Sequence, residues 1–341
     1  MITAEDLLAG PRGRRLCLEL ALRVQRAGDP AAWRLGTLLD RQADARAVAT
    51  AIAALALWAP TAEDVVDALE RTAESALWWR PPDAEDVLLA RPPLRAPLGR
   101  LAAWAVSADA VRRLGASDGR RFLVAPETGA GPDGAGMRAV PSAAAALRDW
   151  ADELRAEAAR RAPRDVSGTW WTTPPWPVEP TTAAPFPEYG PLALWAVEDS
   201  FGWQRAVVSA VSAPVSGTAR GSDRVWTVDG PDDWAELCRR WPIDVGTTTR
   251  RRDWGEATGR DGGWVVPDWS QVARAHDVVH LTVRGWLRTS GVAVAVDDDR
   301  ASVVAGWTPD SAYRFADPAP VDDTAVWTRP DSTGVWQRER P

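Results

Sequence analysis

The chain contains no lysine and no asparagine, so all 40 basic side chains among its 341 residues are arginines. Without Lys there is no Walker-type phosphate-binding lysine, no Schiff base to pyridoxal phosphate and no lysine base or nucleophile. Pyridoxal phosphate is thereby excluded as a cofactor. Without Asn there is no N-glycosylation acceptor and no Cys-His-Asn triad. Any anion this protein holds must be held by Arg, backbone N–H groups or hydroxyls. Both absences, beside abundant Ala, Arg, Gly and Pro, are those of a GC-rich coding sequence.

Cysteine is scarce: Cys17 and Cys238 lie far apart in amphipathic contexts, which excludes a disulfide framework or zinc-knuckle spacing and suggests buried free thiols. Long apolar runs are missing too. The longest, residues 47–60, falls short of the roughly 20 residues a membrane span needs. Arg14-Arg15 opens a stretch resembling a twin-arginine signal, but Glu19 and Arg23 interrupt the region that would have to be apolar. The expectation is a cytoplasmic protein that does not enter a membrane. A net charge of −7 argues against broad nucleic-acid binding.

What is present divides in two. Residues 1–165 read as a helical region: an apolar segment around Leu16–Val24, an Ala-rich helix at 47–58, a helix opened by Thr61 with Glu63 and Asp64 in its first turn, then helices near 84–90, 97–106 and 108–114. The Gly-rich stretch 129–136 has no preceding strand and no following Lys, and reads as a linker. Residues 142–161 carry Leu147, Trp150 and Leu154 on one face, a helical period. From residue 166 the texture turns β-branched and aromatic between Pro, Gly and Asp, predicting an α+β fold with a Trp-rich mixed or antiparallel sheet and short helices over 166–317. Strands are expected at 168–173, 192–197, 206–211, 224–228, 278–283, 292–296 and 302–305, with short helices near 232–238 and 270–275. The Pro- and Asp-rich tail, 318–341, reads as loosely ordered.

Fifteen of the 21 tryptophans follow residue 166, beside only two Tyr and four Phe in the whole chain. An indole buries a large area yet needs a partner for its N–H, so these residues suit a small core meeting a polar margin, or a flat surface on which a sugar, nicotinamide or base stacks. Trp170-Trp171-Thr172-Thr173 is the first place to look for such a surface. The only histidines, His276 and His280, have a metal-compatible spacing on a helix, but 277–283 alternates as a strand would; no metal is expected, and His280 is either a hydrogen-bonded structural side chain or a catalytic one. On that strand His280 shares a face with Thr282. Glu198-Asp199-Ser200 closes an apolar segment, where acidic groups either act as bases or begin turns.

Residues 224–234, Pro267-Asp268-Trp269 with Val272-Ala273, residues 277–282 and residues 306–313 together resemble bacterial proteins of ADP-ribosyltransferase-like fold, over roughly 166–317. The resemblance implies NAD as cofactor. Nicotinamide would stack on Trp170 or Trp171, with Thr172, Ser200 and Thr282 contacting the dinucleotide and His280 or Glu198 holding the reacting hydroxyl. It also implies an active transferase or an inactive relative, since no Arg or His stands on the first strand and no Glu lies between Glu256 and Glu339. The alternative is a non-catalytic module that docks a protein partner through its Trp-rich surface.

Overall fold

The computed structural model of the protein describes residues 1–116, 119–127, 141–163, 165–198, 202–211, 223–315 and 320–339. The Gly-rich stretch 129–136 and Ser200 lie outside them. The helices are α1 (Ala4–Ala9), α2 (Pro11–Arg23), α3 (Pro30–Asp40), α4 (Ala45–Ala53), α5 (Ala62–Glu74), α6 (Ala84–Leu89), α7 (Arg95–Ser107), α8 (Asp109–Leu114), α9 (Ala143–Arg160), α10 (Pro231–Arg240), α11 (Arg250–Thr258), α12 (Trp269–Ala275) and α13 (Val283–Thr289). The strands are β1 (Arg121–Pro126), β2 (Pro180–Thr182), β3 (Arg205–Val211), β4 (Val225–Val228), β5 (Pro242–Asp244), β6 (Gly263–Pro267), β7 (Val278–Leu281), β8 (Val294–Ala295), β9 (Arg300–Ser302), β10 (Ala312–Arg314), β11 (Val321–Thr328) and β12 (Gln337–Arg338). The protein is α+β, with helices mostly N-terminal and strands mostly C-terminal. Among the described residues no helix is long and apolar enough to cross a membrane.

Local chemistry sets the helix starts. Thr61 accepts from the Asp64 amide while the Asp64 carboxylate accepts from the Thr61 amide, a reciprocal cap that satisfies two otherwise orphaned donors of α5. Ser142 caps α9, and Leu147, Ala151 and Leu154 form its buried stripe. Pro11 occupies the first turn of α2, where its missing N–H costs nothing, and Leu16, Leu20 and Ala21 are buried behind it.

The strands form an eight-stranded sheet, ordered β12-β11-β3-β1-β2-β10-β7-β4, and a four-stranded one, β5-β6-β9-β8. In the larger sheet all pairings are antiparallel except β4 with β7. One apolar core runs from Ile2 and Leu7 through Leu69 and Leu101 to Trp234, Trp286 and Trp336, so the helices and the larger sheet share it. A second cluster, around Trp78, Leu154, Trp254 and Trp264, backs the smaller sheet.

Five expectations need correction. The strand expected over 278–283 stops at Leu281, because the Thr282 hydroxyl accepts from the Gly285 amide and opens α13, so Thr282 does not share a strand face with His280. Residues 168–173 do not form a strand: the Thr172 amide donates to the Ala305 carbonyl, while the Trp170 and Thr172 carbonyls accept from the indoles of Trp254 and Trp269, and Pro174-Pro175 follows with no N–H for a ladder. Residues 192–194 form a 3₁₀ turn instead of a strand, because the Leu194 and Trp195 amides fold back on the Pro191 and Leu192 carbonyls. The helical region contributes β1, which sits between β3 and β2. The described part of the tail, 320–339, is paired and packed: β11 runs antiparallel to β3 from Val321 opposite Val211 to Thr328 opposite Arg205, and Trp327 and Trp336 are buried.

Six tryptophans, Trp234, Trp254, Trp264, Trp269, Trp286 and Trp307, are fully buried. Trp234 and Trp269 both pack on Trp307, which meets Tyr313 at a ring separation of 4.9 Å in an edge-on arrangement favoured by the ring quadrupoles. Much of the indole content is therefore core.

Burial pushes the thiols of Cys17 and Cys238 up to about 12. Neither should react with iodoacetamide in the native protein at mildly alkaline pH, and both should react once urea unfolds it. Labelling of either thiol in the folded state, read by intact-mass spectrometry, would contradict the packing described.

Candidate functional site

The residues singled out in the sequence are distributed over two places. Glu198 lies just past the 3₁₀ turn at Leu192–Leu194 and is 6% exposed. Its carboxylate accepts four hydrogen bonds: from the Trp78 indole at 2.7 Å and the Gly306 amide at 2.6 Å on Oε2, and from the Trp286 indole at 2.9 Å and the Ser290 hydroxyl at 2.8 Å on Oε1. Burial pushes its carboxyl above the ordinary range, and the donors offset part of that rise. With every partner supplied by the protein, Glu198 is a structural acceptor and not an accessible base.

Thr172 is equally occupied. It is fully buried, and its hydroxyl accepts from the Trp307 indole and the Ala305 amide, each at 3.1 Å. Trp170 and Trp171 meet edge-on at 5.9 Å, Trp79 lies 5.0 Å from Trp170, and Trp171 is 42% exposed. Gly306, at φ +80°, joins these positions: it donates to Glu198, and a Cβ there would stand 2.9 Å from that of Trp171. Trp170, Trp171, Thr172 and Glu198 thus gather around the 305–307 segment.

His280 and Thr282 lie elsewhere. His280, on β7, places Nε2 2.8 Å from Asp310 Oδ1; Asp310 Oδ2 accepts from Arg121 at 2.6 Å and from the Ala183 amide at 2.8 Å. Burial would raise the Asp310 carboxyl, but the Arg121 guanidinium and His280 hold it below the ordinary range. Asp310 adopts a left-handed backbone, φ +62°, that non-glycine residues rarely take. Thr282 caps α13 by accepting from the Gly285 amide and donates to Asp229 at 2.6 Å, while Arg284 joins Asp229 to Asp6. A cavity of about 140 Å³ touches Met1, Asp229, His280, Thr282, Arg284 and Asp310. His276 ends α12, packed between Trp226 and Trp241, and does not line this cavity. Among the described residues no group of three or more His, Cys, Asp and Glu side chains is placed to hold a metal ion.

A larger cavity, about 300 Å³, was not visible in the sequence. One wall is α5, with Glu63, Asp67 and Glu70; a second holds Tyr189 and Trp195; the third is the turn 329–336 that joins β11 to β12. Arg329 bonds Glu70 at 2.6 Å and ties that turn to the helix. Burial pushes Glu70 up to about 7, against the pull of Arg329 and with the help of Glu74 and Asp67. Trp195 and Trp336 are 3% and 4% exposed, and the indole N–H of each has no acceptor among the described residues. No spacing in the chain signals this site. The available hint is Trp327 and Trp336, two bulky aromatics in a tail otherwise rich in Pro and Asp.

Comparison with protein-family models, curated proteins and solved structures finds no match to this chain.

Glu198→Ala should strand two indole N–H groups, a hydroxyl and an amide, at about 1–3 kcal/mol for each donor left buried and unpaired, non-additively. A loss of about 3 kcal/mol or more in urea unfolding is expected, with Glu198→Gln losing less because it keeps one acceptor oxygen. Equal stability of Glu198→Ala and wild type would show that the four bonds do not hold the structure.

Proposed function

We propose that this protein is a cytoplasmic small-molecule-binding protein whose ligand occupies the cavity between α5 and the turn 329–336. The observation that carries the reading is the cavity itself, walled by the aromatic rings of Tyr189, Trp195 and Trp336 and by Glu70, whose side chain is 14% exposed. A volume of about 300 Å³ lies at the small end of ligand pockets and fits one or two rings, not a dinucleotide. Two reduced, buried thiols fit the cytoplasm.

A second reading keeps the transferase resemblance and is favoured by the His280–Asp310 pair. With Nε2–H donating to Asp310, Nδ1 is left as a basic lone pair beside a cavity, the arrangement of a general base. Here His280 would take the proton of a hydroxyl attacking NAD, and Thr282 would help hold the substrate. Trp171 and Trp176, exposed by 42% and 61%, are what a protein-docking role would use.

Tryptophan fluorescence of the full chain separates these readings. Single-ring heteroaromatic compounds should change the emission saturably, and Tyr189→Ala, which removes one aromatic wall of the cavity, should weaken binding by about tenfold. Saturable NAD hydrolysis lost in His280→Ala, with no response to small heteroaromatics, would instead establish the second reading.

A further inference from the structure

In the larger sheet the parallel neighbours are β4 and β7, in register from Val225 opposite Val278 to Val228 opposite Leu281. Each runs into a helix: β4 through Asp229-Gly230 into α10, and β7 through Thr282 into α13. Beyond the carboxyl ends of parallel strands that lead into helices lies the crevice where open α/β sheets hold ligands and reacting groups. Asp229 and Thr282 stand at those two ends and are bonded to each other at 2.6 Å. The cavity of about 140 Å³ lies against them, with His280 and Asp310 on its wall and Ile2, Leu114 and Val283 supplying apolar surface.

Asp310 is held firmly. Its Oδ2 accepts from Arg121 at 2.6 Å and from the Ala183 amide at 2.8 Å, and Arg121 also donates to the carbonyls of Thr181 and Asp310. That leaves Oδ1, which lies 2.8 Å from His280 Nε2. Burial would raise this carboxyl, but Arg121 and His280 keep it below the ordinary range, so Asp310 can only accept and the shared proton sits on Nε2. Neutral His280 then carries its lone pair on Nδ1. Among the described residues that nitrogen has no hydrogen-bond partner, and it is not one of the enclosed polar atoms, whereas Nδ1 of His276 is enclosed. The His280 side chain is 17% exposed. Asp229, the other base at the cavity, is paired with Arg284.

Resting on the second reading above, we propose that His280 and Asp310 form a proton-transfer dyad at the carboxyl ends of β4 and β7, in which His280 Nδ1 takes the proton of a water or hydroxyl group held in the cavity and Asp310 is the positioning residue. The volume admits a group of a few atoms and not a dinucleotide, so the nucleophile occupies the cavity and the electrophile meets it at the rim. The O–H bond breaks toward Nδ1 while the oxygen bonds to the ribose carbon that carries nicotinamide. The carbon–nitrogen bond of NAD breaks with its electron pair passing to the ring, which leaves as neutral nicotinamide, and the imidazolium returns its proton to solvent. Arg121 and the Ala183 amide act at one remove, by deciding which atom of residue 310 faces the imidazole.

The test uses the full chain, whose two histidines can each be followed by nitrogen NMR and assigned with His276→Gln. Neutral His280 should be protonated on Nε2 in the wild type. In Asp310→Asn, Arg121 and the Ala183 amide still claim the oxygen, so the amide NH₂ faces Nε2 and the proton should move to Nδ1. Diethyl pyrocarbonate, which acylates an unprotonated imidazole nitrogen, should modify His280 about tenfold faster than His276, and Asp310→Asn should slow that reaction about tenfold. Nicotinamide release from NAD should fall about a hundredfold in kcat in Asp310→Asn, with KM for NAD kept. Should Asp310→Asn fail to fold, the wild-type tautomer and the labelling ratio decide alone. A wild-type His280 protonated on Nδ1, or labelled no faster than His276, overturns the dyad. The expected tautomer and labelling without any nicotinamide release overturns NAD as the electrophile and leaves His280 as the base at this cavity.

Discussion

The acceptor at Glu198 holds together parts of the chain that are distant in sequence. Trp78 comes from the segment after α5, Trp286 and Ser290 from α13 and its end, and Gly306 from the turn beyond β9. A carboxylate taken out of water with no cation beside it would be prohibitively unfavourable; four donors converging on two oxygens replace most of its hydration. The same interaction gives two of the indoles the partners that burial demands. Trp78 belongs to the core behind the smaller sheet and Trp286 to the core shared by the helices and the larger sheet, so one side chain fixes the spacing between two apolar clusters.

The parts of the fold legible in the sequence are those governed by near neighbours. The reciprocal cap at Thr61 and Asp64, the stripe of α9 and the Pro231 start of α10 depend on residues three to seven apart, and the structure has them as the sequence suggests. Strand β1 was hidden because nothing local distinguishes Arg121–Pro126 from the helices before it; its partners stand more than fifty residues away, on β2 and β3. Trp170-Trp171-Thr172 has strand composition, but its backbone groups pair with a turn and with indoles. Composition does not reveal which partner a carbonyl will find.

The site was legible only in pieces. His280 and Thr282, expected on one strand face, share a cavity in the structure, while Asp310, Asp229 and Arg121, which define their surroundings, come from three other elements. Glu198 drew notice as an acid closing an apolar segment, yet its role depends on four donors that no spacing announces. The larger cavity is less visible still, since α2, α5, the 187–195 region and the 329–336 turn each contribute only a few residues. An Arg-only, Trp-rich composition does explain its character: guanidiniums answer its acids, and indole rings supply aromatic surface at its wall.

The order of the larger sheet has a consequence for synthesis. Trp336, which closes the cavity, is carried by a hairpin that leans on β3, and β3 in turn pairs with β1 from the helical region. A chain still on the ribosome can assemble its early helices, but the third wall does not exist until that hairpin has emerged and found the edge of β3. A polypeptide cut off before β11 leaves the edge of β3 uncovered and lacks the third wall of the cavity.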